Sequence, residues 1–414
     1  MRVLVLGAGL LGVASAYYLQ QLGHEVTVVD RHAMPAARAR GIADQPPTGM
    51  PARRPLSPSK RIARRWTGAY VLARRRVARL LDRALGAPPR PVPLDHLVRL
   101  GAYSRQNVRA LRDEAGLPPG HGPRVPPLLN LFTCPDSFGR RVSGAPHWSG
   151  LGCEETLLSA DEAIAMEPAL RALRGRLVGA SCAAEDPTRD PASFAASLVF
   201  LCRAAGVRFL PRHTVVGLAQ RDGRVEHVDV LDAAGEPQRM RAQAYVLALG
   251  ASSAPHAREL GIRMSMRSLR EYIVTMPLLD PERAPRATLR DLQGRLRIAR
   301  IETPAGDRLR VSATVQAGPE ETLEPDSERF EAILRRTELL LPGAADTTAA
   351  ELDTALHAVS TSGLPIIGKT RLPNLFLNVA PGSRSWIHAC GAGKSIARIV
   401  SGLRPELDFA FRRP

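Results

Sequence analysis

The first thirty residues contain two short apolar runs, separated by a glycine-rich turn and an apolar segment with helical spacing. Residues 3–6 and 25–29 are rich in valine and leucine, as in buried parallel strands, and the second run ends at Asp30. Residues 13–22 have apolar positions at helical spacing and are followed by Gly23, a residue type that often ends a helix. The pattern predicts a strand, a turn, a helix and a strand, which form one right-handed βαβ unit.

The middle and the end of the chain contain further elements. Helical spacing predicts helices over 193–205 and from about Trp386 to Ser401, and Ser159 before two acidic residues predicts a helix start. Short β-rich runs predict strands at 207–210, 215–219, 225–230, 245–249, 296–301, 309–315 and 374–379. Glycine turns between several of these strands are typical of antiparallel hairpins, which favours a second domain beside the βαβ unit.

A basic, proline-rich segment runs from Ala33 to about Pro93. Within it, apolar residues from Ile62 to Leu80 recur at three- and four-residue steps, which predicts an amphipathic helix over about 60–83 with a cationic face. Three interpretations stay open: a solvated helix that packs one stripe on its own domain, a helix that docks on a membrane surface, or a nucleic-acid contact. No recognised nucleic-acid motif accompanies the charge, so we do not expect a nucleic-acid partner.

The composition sets broad limits on the class of protein. A chain of 414 residues suits two interleaved domains better than one core, and 44% hydrophobic residues with a mean hydropathy of −0.11 are typical of a soluble globular protein. The net charge of +17 comes mostly from arginine. It fits either a biased genome or attraction to an anionic partner.

The cysteines and the apolar amino terminus exclude other classes. The five cysteines form no CxxC pair and no pattern interleaved with histidine, so we expect neither zinc nor a disulfide framework, and a reducing compartment fits best. Residues 3–19 are uncharged, but they contain three glycines at fixed spacing and no cleavage site follows them. We therefore expect neither a signal peptide nor a membrane span there.

The turn of the βαβ unit is a GxGxxG motif, Gly7-Ala8-Gly9-Leu10-Leu11-Gly12, with a strand before it and a helix after it. In this context the first glycine permits the tight turn, the second lets the backbone approach a pyrophosphate, and the third lets helix and strand pack closely. The helix start then offers N–H groups and a positive dipole to the phosphates. Asp30, with Arg31 after it, lies at the end of the second strand, where a carboxylate accepts ribose hydroxyls. The motif predicts a dinucleotide cofactor.

Two later segments favour FAD over NAD. Residues 246–250, which end at Gly250, follow the predicted β-meander, where flavin-binding folds return a strand toward the adenosine half of the cofactor. The last predicted strand is followed by Pro381-Gly382-Ser383 and a helix, whose positive end would stabilise negative charge on a reduced flavin ring. An ordinary final βα unit is the alternative interpretation of that segment.

Over nearly its whole length the chain resembles the D-amino-acid dehydrogenase branch of the glycine oxidase and D-amino-acid oxidase family. Motifs such as Ala244-Tyr245-Val246-Leu247-Ala248-Leu249-Gly250 and Pro365-Ile366-Ile367-Gly368 carry the resemblance. The matching segments, in chain order, are 3–30, 159–164 with 167–168, 184–186 with Asp190, 244–250, 335–338, 341–346, 365–368, 374–378, 389–393 and 401–402.

The resemblance implies an α/β fold, with a Rossmann-type FAD-binding domain of the glutathione-reductase kind and an inserted α+β substrate domain. We expect FAD-binding segments at 1–93, 183–260 and 346–414, and substrate-domain segments at 94–182 and 261–345. The implied activity is oxidation of a D-amino acid by hydride transfer to flavin N5, followed by hydrolysis to a 2-oxo acid and ammonia. The dehydrogenase branch is associated with the inner membrane and passes electrons to the respiratory chain. A cytoplasmic protein, or one peripheral to that membrane, is therefore expected.

Three segments depart from the family pattern. The Glu-Thr-Ser-type loop and paired glycines that hold the FAD phosphate and ribityl are replaced by residues 38–44, and the Gly-His-Gly beside the flavin ring is Ala380-Pro381-Gly382. The arginine that grips the substrate carboxylate in relatives corresponds to His357. One imidazole in place of a bidentate guanidinium removes charge-assisted bonds worth about 1.5–3 kcal/mol each.

The hypothetical substrate contacts are His357, Tyr272 and Arg270, where Tyr272 matches a tyrosine near the substrate in relatives or is a buried structural tyrosine. Gly7 to Gly12, Asp30, Arg31, Gly250 and Gly382 are the predicted cofactor-binding residues. The altered motifs leave two alternatives to a working D-amino-acid enzyme. One is a homologue with weak or lost catalysis that acts as a binding or regulatory protein. The other, an NAD(P)-linked dehydrogenase, would not need the final strand and helix.

Overall fold

The predicted βαβ unit forms the centre of the nucleotide-type domain. Strand β1 (Arg2–Leu6) leads through the glycine turn into helix α1 (Leu10–Gln21), and strand β2 (Glu25–Val29) returns parallel to β1. The computed structural model describes residues 1–33, 94–115, 127–153, 155–183, 191–303, 306–316, 326–380, 382 and 385–412. The predicted basic helix over about 60–83 lies outside these residues.

The remaining elements follow in chain order. The helices are α2 (Leu94–Ala115), α3 (Pro135–Gly150), α4 (Ala160–Met166), α5 (Pro191–Ala204), α6 (Ser253–Glu259), α7 (Ser327–Leu340) and α8 (Ser385–Val400). The strands are β3 (Leu128–Phe132), β4 (Glu155–Ser159), β5 (Gly179–Ala183), β6 (Arg208–Leu210), β7 (Thr214–Arg221), β8 (Arg224–Leu231), β9 (Pro237–Met240), β10 (Ala244–Leu247), β11 (Met266–Pro277), β12 (Thr288–Asp291), β13 (Leu296–Ile301), β14 (Arg308–Gln316), β15 (Glu351–Ser360), β16 (Ile366–Lys369) and β17 (Leu375–Val379).

The nucleotide-type sheet has six strands in the order β16-β17-β10-β1-β2-β6. All neighbours are parallel except β16, which runs antiparallel to β17. Helices α1, α2, α5 and α8 share one apolar core with one face of this sheet, whereas the meander β7-β8-β9 packs on the other face. Covering both faces explains why β10 and the part of β1 after Arg2 are continuously apolar and buried rather than alternating.

The second sheet has eight strands in the order β15-β11-β14-β13-β12-β3-β5-β4 and is antiparallel except where β12 meets β3. Its strands alternate in side-chain character, since Val274, Val311 and Ile298 are fully buried while Ser312 and Arg297 between them are not. The apolar face packs against α4, α7 and the 3-10 turn at 168–173 in a separate core. One face of this sheet is therefore available to meet another part of the protein.

Most predicted elements are confirmed within a few residues. The strand pairs around Asp222-Gly223 and around Gly306 form hairpins, and Ser159 begins α4 with a capping box, in which its hydroxyl accepts from the Glu162 N–H and the Glu162 carboxylate accepts from the Ser159 N–H. The pattern did not predict α2, α3, α7 or the long strands β11 and β15, whose mixed polar and apolar sequences have no clear single period.

Two predicted domain boundaries differ from the packing. Helix α2 was expected in the substrate domain, but Leu97, Leu100 and Leu111 are buried in the core of the nucleotide-type sheet. Strand β15 was expected in the last FAD-binding segment, but it pairs with β11 in the eight-stranded sheet. An apolar stripe shows that an element has a buried side, but not which of two cores it faces.

No described helix combines the length and the apolar character that a bilayer crossing requires. Among the described residues, likewise, no group of histidine, cysteine, aspartate and glutamate side chains is arranged to hold a metal ion.

A buried carboxylate joins the eight-stranded sheet to α7. Asp291, at the end of β12, is fully buried and accepts two bonds from the Arg336 guanidinium, at 2.6 and 3.0 Å, and two more from the N–H groups of Gln293 and Gly294. Such a pair is retained only if all its polar groups are satisfied, because charges are costly to remove from water.

We predict that Asp291→Asn lowers the free energy of unfolding by about 3 kcal/mol, since it leaves the Arg336 charge partly buried without its counter-ion. Urea or guanidinium unfolding measures the change. Asp161→Asn is the matched control, because the Asp161–Arg174 pair is exposed on both sides and should contribute little. Equal effects of the two substitutions would contradict the role of Asp291.

Candidate functional site

The glycine turn after β1 is built as a close approach between helix and strand. Gly7 has φ of +105°, and a Cβ there would lie 2.5 Å from the Ala248 carbonyl oxygen of the neighbouring β10 segment. A Cβ on Gly12 would lie 1.8 Å from the Gly7 carbonyl oxygen. Neither position accepts a side chain, so α1 begins directly against β1 and β10.

Gly9 differs from the two glycines beside it. A Cβ on Gly9 would meet no described atom within 4 Å, and its φ of −66° is open to any residue. Gly9 is the N-cap of α1, no side chain caps the helix, and its first turn holds no acidic residue. The N–H groups of Leu10, Leu11 and Gly12 precede the first helical bond, which Val13 donates to the Gly9 carbonyl. The open space in front of these donors fits a diphosphate.

Asp30 closes the turn from the end of β2. Its Oδ2 accepts from the Ala8 N–H at 2.6 Å, and its Oδ1 accepts from the His32 N–H at 2.8 Å and lies 2.7 Å from His32 Nδ1. A carboxylate has about four acceptor positions, so three bonds leave room for a ribose hydroxyl. Arg31, the next residue, is exposed. The carboxylate thus holds the turn in shape as well as facing the predicted cofactor position.

Gly250 and Gly382 lie at the same edge of the sheet as the glycine turn. β1, β10 and β17 are parallel, and Gly7, Gly250 and Gly382 each follow the carboxyl end of one of them. Gly250 has φ of +63° and open space around it, and Gly382 has φ of +64°. The crevice outside the carboxyl ends of parallel strands is where such folds bind ligands. The structure therefore brings the predicted cofactor residues together.

The last helix is fixed against α1. A Cβ on Gly393 of α8 would lie 2.7 Å from the Ala14 carbonyl carbon, and Asn378 of β17 donates to Ser15 Oγ at 2.9 Å. The Oδ1 of Asn378 is buried without a partner among the described residues. These contacts fix the direction in which α8 starts, close to Gly382. Residues 38–44 and Pro381, which depart from the family pattern, lie outside the described residues.

The three hypothetical substrate contacts do not lie together. In the β11–β15 ladder, His357 is opposite Leu269, whereas Tyr272 is opposite Thr354, so His357 and Tyr272 point to opposite faces of the sheet. Tyr272 is 3% exposed in the apolar core, and its hydroxyl accepts from the Asp326 N–H at 3.2 Å. Arg270 shares the Tyr272 face. This position favours the structural interpretation of Tyr272.

The face that carries His357 meets the nucleotide-type domain. Val359 lies on the same face, two residues further along β15, and a Cβ on Gly382 would be 3.5 Å from its side chain. The 3-10 turn at Gly250–Ser252 also packs against β15. His357 therefore lies on the face that meets the crevice near Gly382, beside which the sequence analysis predicts the flavin ring.

Polar residues missed by the sequence analysis occupy the same face. Besides the predicted His357, the ladder registers place on it the side chains of Arg267, Glu271, Arg290, Arg297, Arg308, Arg310, Ser312, Glu351 and Asp353. We define these residues as the polar sheet face. Two pairs within it are His357–Glu271 at 2.7 Å and Arg308–Glu351 at 3.0 Å. The alternation of Leu296-Arg297-Ile298 and Leu309-Arg310-Val311 could have indicated arginines on one face.

The comparisons with known proteins agree with this architecture. The sequence matches the family DAO, FAD dependent oxidoreductase, over residues 2–399. The chain therefore belongs to the FAD dependent oxidoreductase family, whose cofactor fits the crevice described above. The α/β fold with its inserted α+β domain is confirmed by the same match.

Relatives of known name cover the whole chain. A D-amino acid dehydrogenase of Dechloromonas aromatica is 32% identical and covers 100% of both chains, and one of Methylobacterium radiotolerans is 34% identical over 98% of this chain and 97% of its own. Among solved structures, L-proline dehydrogenase from P. horikoshii has a TM-score of 0.71 at 15% identity, covering 98% of this chain and 94% of its own. Glycine oxidase from Geobacillus kaustophilus has a TM-score of 0.69 at 20% identity, over 99% and 97%. These two structures support the fold.

We predict that Gly9→Ala weakens FAD binding at least tenfold and leaves the melting temperature of the FAD-free protein nearly unchanged. The methyl group enters space that is open in the protein itself but lies where the diphosphate must approach. Titration of FAD-free protein followed by flavin fluorescence measures the affinity. Gly175→Ala, also in open space but in the other domain, is the matched control. Unchanged FAD affinity in Gly9→Ala would show that the cofactor does not use this turn.

Proposed function

We propose that this protein oxidises a D-amino acid with FAD, giving an imine that water hydrolyses to a 2-oxo acid and ammonia. The observation that carries the proposal is the match to proteins named D-amino acid dehydrogenase over 98–100% of the chain. Because the match includes the eight-stranded sheet as well as the glycine turn, it concerns the substrate side of the protein and not only the cofactor side.

The charge of the polar sheet face supports a carboxylate-bearing substrate. Arg290 and Arg297 lie directly opposite each other across the β12–β13 ladder, which concentrates positive charge on this face. Arg310 lies on the next strand of the same face. These guanidinium groups can supply the carboxylate contact that an arginine at position 357 would have made.

When bound, FAD supplies a two-electron oxidation of the substrate carbon–nitrogen bond. The contributions of this chain are binding and position. The Gly9 turn and Asp30 hold the dinucleotide, the contact between Val359 and Gly382 brings the two domains together, and the polar sheet face orients the amino acid. A fixed orientation between substrate and cofactor accounts for much of the rate in reactions of this kind.

We further propose that the electrons pass to a quinone-type acceptor of the respiratory chain rather than to oxygen, and that the protein works in the cytoplasm at the inner face of the membrane. The net charge of +17 supports this location, since anionic lipid surfaces attract basic segments. The basic segment over about 60–83 is the part of the chain expected to make that contact.

We predict that FAD-loaded protein is yellow and is bleached under anaerobic conditions by at least one D-amino acid, but by none of the L-enantiomers. Absorbance spectra with a matched panel of D- and L-amino acids test this, and ammonia and 2-oxo acid are measured in the same samples. A protein that binds FAD and is bleached by no amino acid would contradict the proposal. That result would favour the homologue without catalysis.

We predict that a soluble quinone analogue supports turnover at a higher rate than air-saturated buffer, because the proposed acceptor is a quinone. Ammonia release under anaerobic conditions with the quinone, compared with peroxide formation in air, measures the two rates. Sedimentation with vesicles containing half anionic lipid, against neutral vesicles as control, tests the surface contact. Faster turnover with oxygen would overturn the quinone acceptor. Equal binding to both kinds of vesicle would overturn the membrane contact.

A further inference from the structure

His357 and Glu271 form an enclosed pair on the polar sheet face. His357 Nε2 lies 2.7 Å from Glu271 Oε2, and the two side chains are only 17% and 13% exposed. The pair bridges adjacent strands diagonally, because His357 is opposite Leu269 and Glu271 is opposite Ala355. It lies on the face that contacts Gly382 through Val359.

The carboxylate of the pair is held in its charged form. Burial raises the pKa of Glu271, but hydrogen bonds from His357 and Ser312 and the nearby charge of Arg297 lower it, and the net pKa is below the usual range for glutamate. A carboxylate that stays charged accepts a hydrogen bond from a nitrogen that carries a proton. Glu271 therefore keeps the proton of a neutral His357 ring on Nε2 and leaves Nδ1 as the acceptor.

The same pairing makes His357 a poor anchor for a substrate carboxylate. When the ring is protonated, its charge is cancelled by Glu271, and when it is neutral it has no charge to offer. The arginines of the polar sheet face are better suited to bind that carboxylate. Among the described residues His357 Nδ1 has no recorded hydrogen-bond partner and is not a fully buried atom, so it is able to accept a proton from a group in the crevice.

We propose that His357 is the proton acceptor for the substrate ammonium group, and that Glu271 is the positioning residue that fixes the ring. This inference rests on the proposed function. An N–H bond of the ammonium breaks, its proton binds His357 Nδ1, and the electron pair stays on the substrate nitrogen. The neutral amine then forms the C=N bond. In the same step the substrate α-carbon loses its hydrogen as hydride, with two electrons, in the oxidation that FAD supplies. A positioned base contributes about 10²–10⁴-fold to such a step.

The pH dependence of the pair includes the charges around it. On β11 these are Glu271 and Arg267, and on β15 they are Asp353 and Glu351, of which Glu351 is paired with Arg308. The remaining charges on this face are Arg308 and Arg310 on β14, Arg297 on β13 and Arg290 on β12. The contact from the nucleotide-type domain, Gly382 on Val359, is uncharged. These arginines stay charged across the working range, so a change in the pH profile that follows removal of the His357 ring does not come from them.

The first experiment compares the pH profile of kcat/KM in FAD-loaded wild-type protein and in His357→Gln. We expect an acid limb in the wild type, since a protonated ring cannot accept the substrate proton. We expect the acid limb of His357→Gln to lie at higher pH, because only substrate that arrives as the free amine can then react, and we expect kcat to be lower by about a hundredfold. His147→Gln is the matched control, because His147 also pairs with a carboxylate, Asp95 at 3.1 Å, but on an exposed surface. An acid limb at the same pH in His357→Gln and in the wild type would overturn the proposal.

The second experiment separates a chemical role from a structural one. Added imidazole should restore activity to His357→Gly at least tenfold, and its effect should increase with pH as the fraction of neutral imidazole increases. A substrate that binds only through a cationic ring would instead gain activity from His357→Arg. Activity in His357→Arg, together with no rescue of His357→Gly by imidazole, would overturn the proposal in favour of a carboxylate anchor.

The third experiment needs no turnover. Nitrogen-15 NMR of the His357 ring in FAD-free protein should show the proton on Nε2, and Glu271→Gln should lose this tautomer preference. An unchanged tautomer in Glu271→Gln would overturn the positioning role. Absence of D-amino-acid oxidation in the wild type would overturn the proposed function, whereas an active wild type without these effects would overturn this inference alone.

Discussion

The architecture depends on one close contact, between Gly12 at the start of α1 and the carbonyl of Gly7 at the end of β1. Because a single methyl group at Gly12 would come within 1.8 Å of that oxygen, helix, strand and turn are fixed relative to one another. Helix α8 then packs against α1 with similar closeness at Gly393. The crevice at the carboxyl ends of β1, β10 and β17 is therefore shaped by backbone packing, and Asp30 holds its outer edge through the Ala8 N–H.

The eight-stranded sheet divides structural from chemical side chains by alternation. One face is an apolar core against α7 and α4, where Tyr272 and Asp291 have their polar groups satisfied internally. The other face carries the charged residues and meets the crevice. A one-residue difference in position along β11 thus decides whether a side chain supports the fold or faces the substrate side, as Tyr272 and Glu271 illustrate.

Charged residues surround His357, the position at which the family resemblance predicts an arginine. Glu271 neutralises a protonated His357, while arginines on three neighbouring strands supply positive charge to the same face. The site is thus not a family site with one contact removed. It has a different distribution of charge, with a proton-accepting pair at one end of the polar sheet face and guanidinium groups towards the middle strands.

Much of the cofactor side was determined by the sequence, because the glycines, the two apolar runs and Asp30 act over short distances along the chain and their steric requirements are local. The substrate side was decided only by the tertiary structure. Neither the His357–Glu271 pair, separated by 86 positions, nor the separation of Tyr272 from His357 follows from a local pattern, since both depend on the register of β11 against β15. The packing of α2 in the nucleotide-type core was likewise decided by tertiary contacts. Local periodicity gives an element its buried side, but only packing selects the partner that covers it.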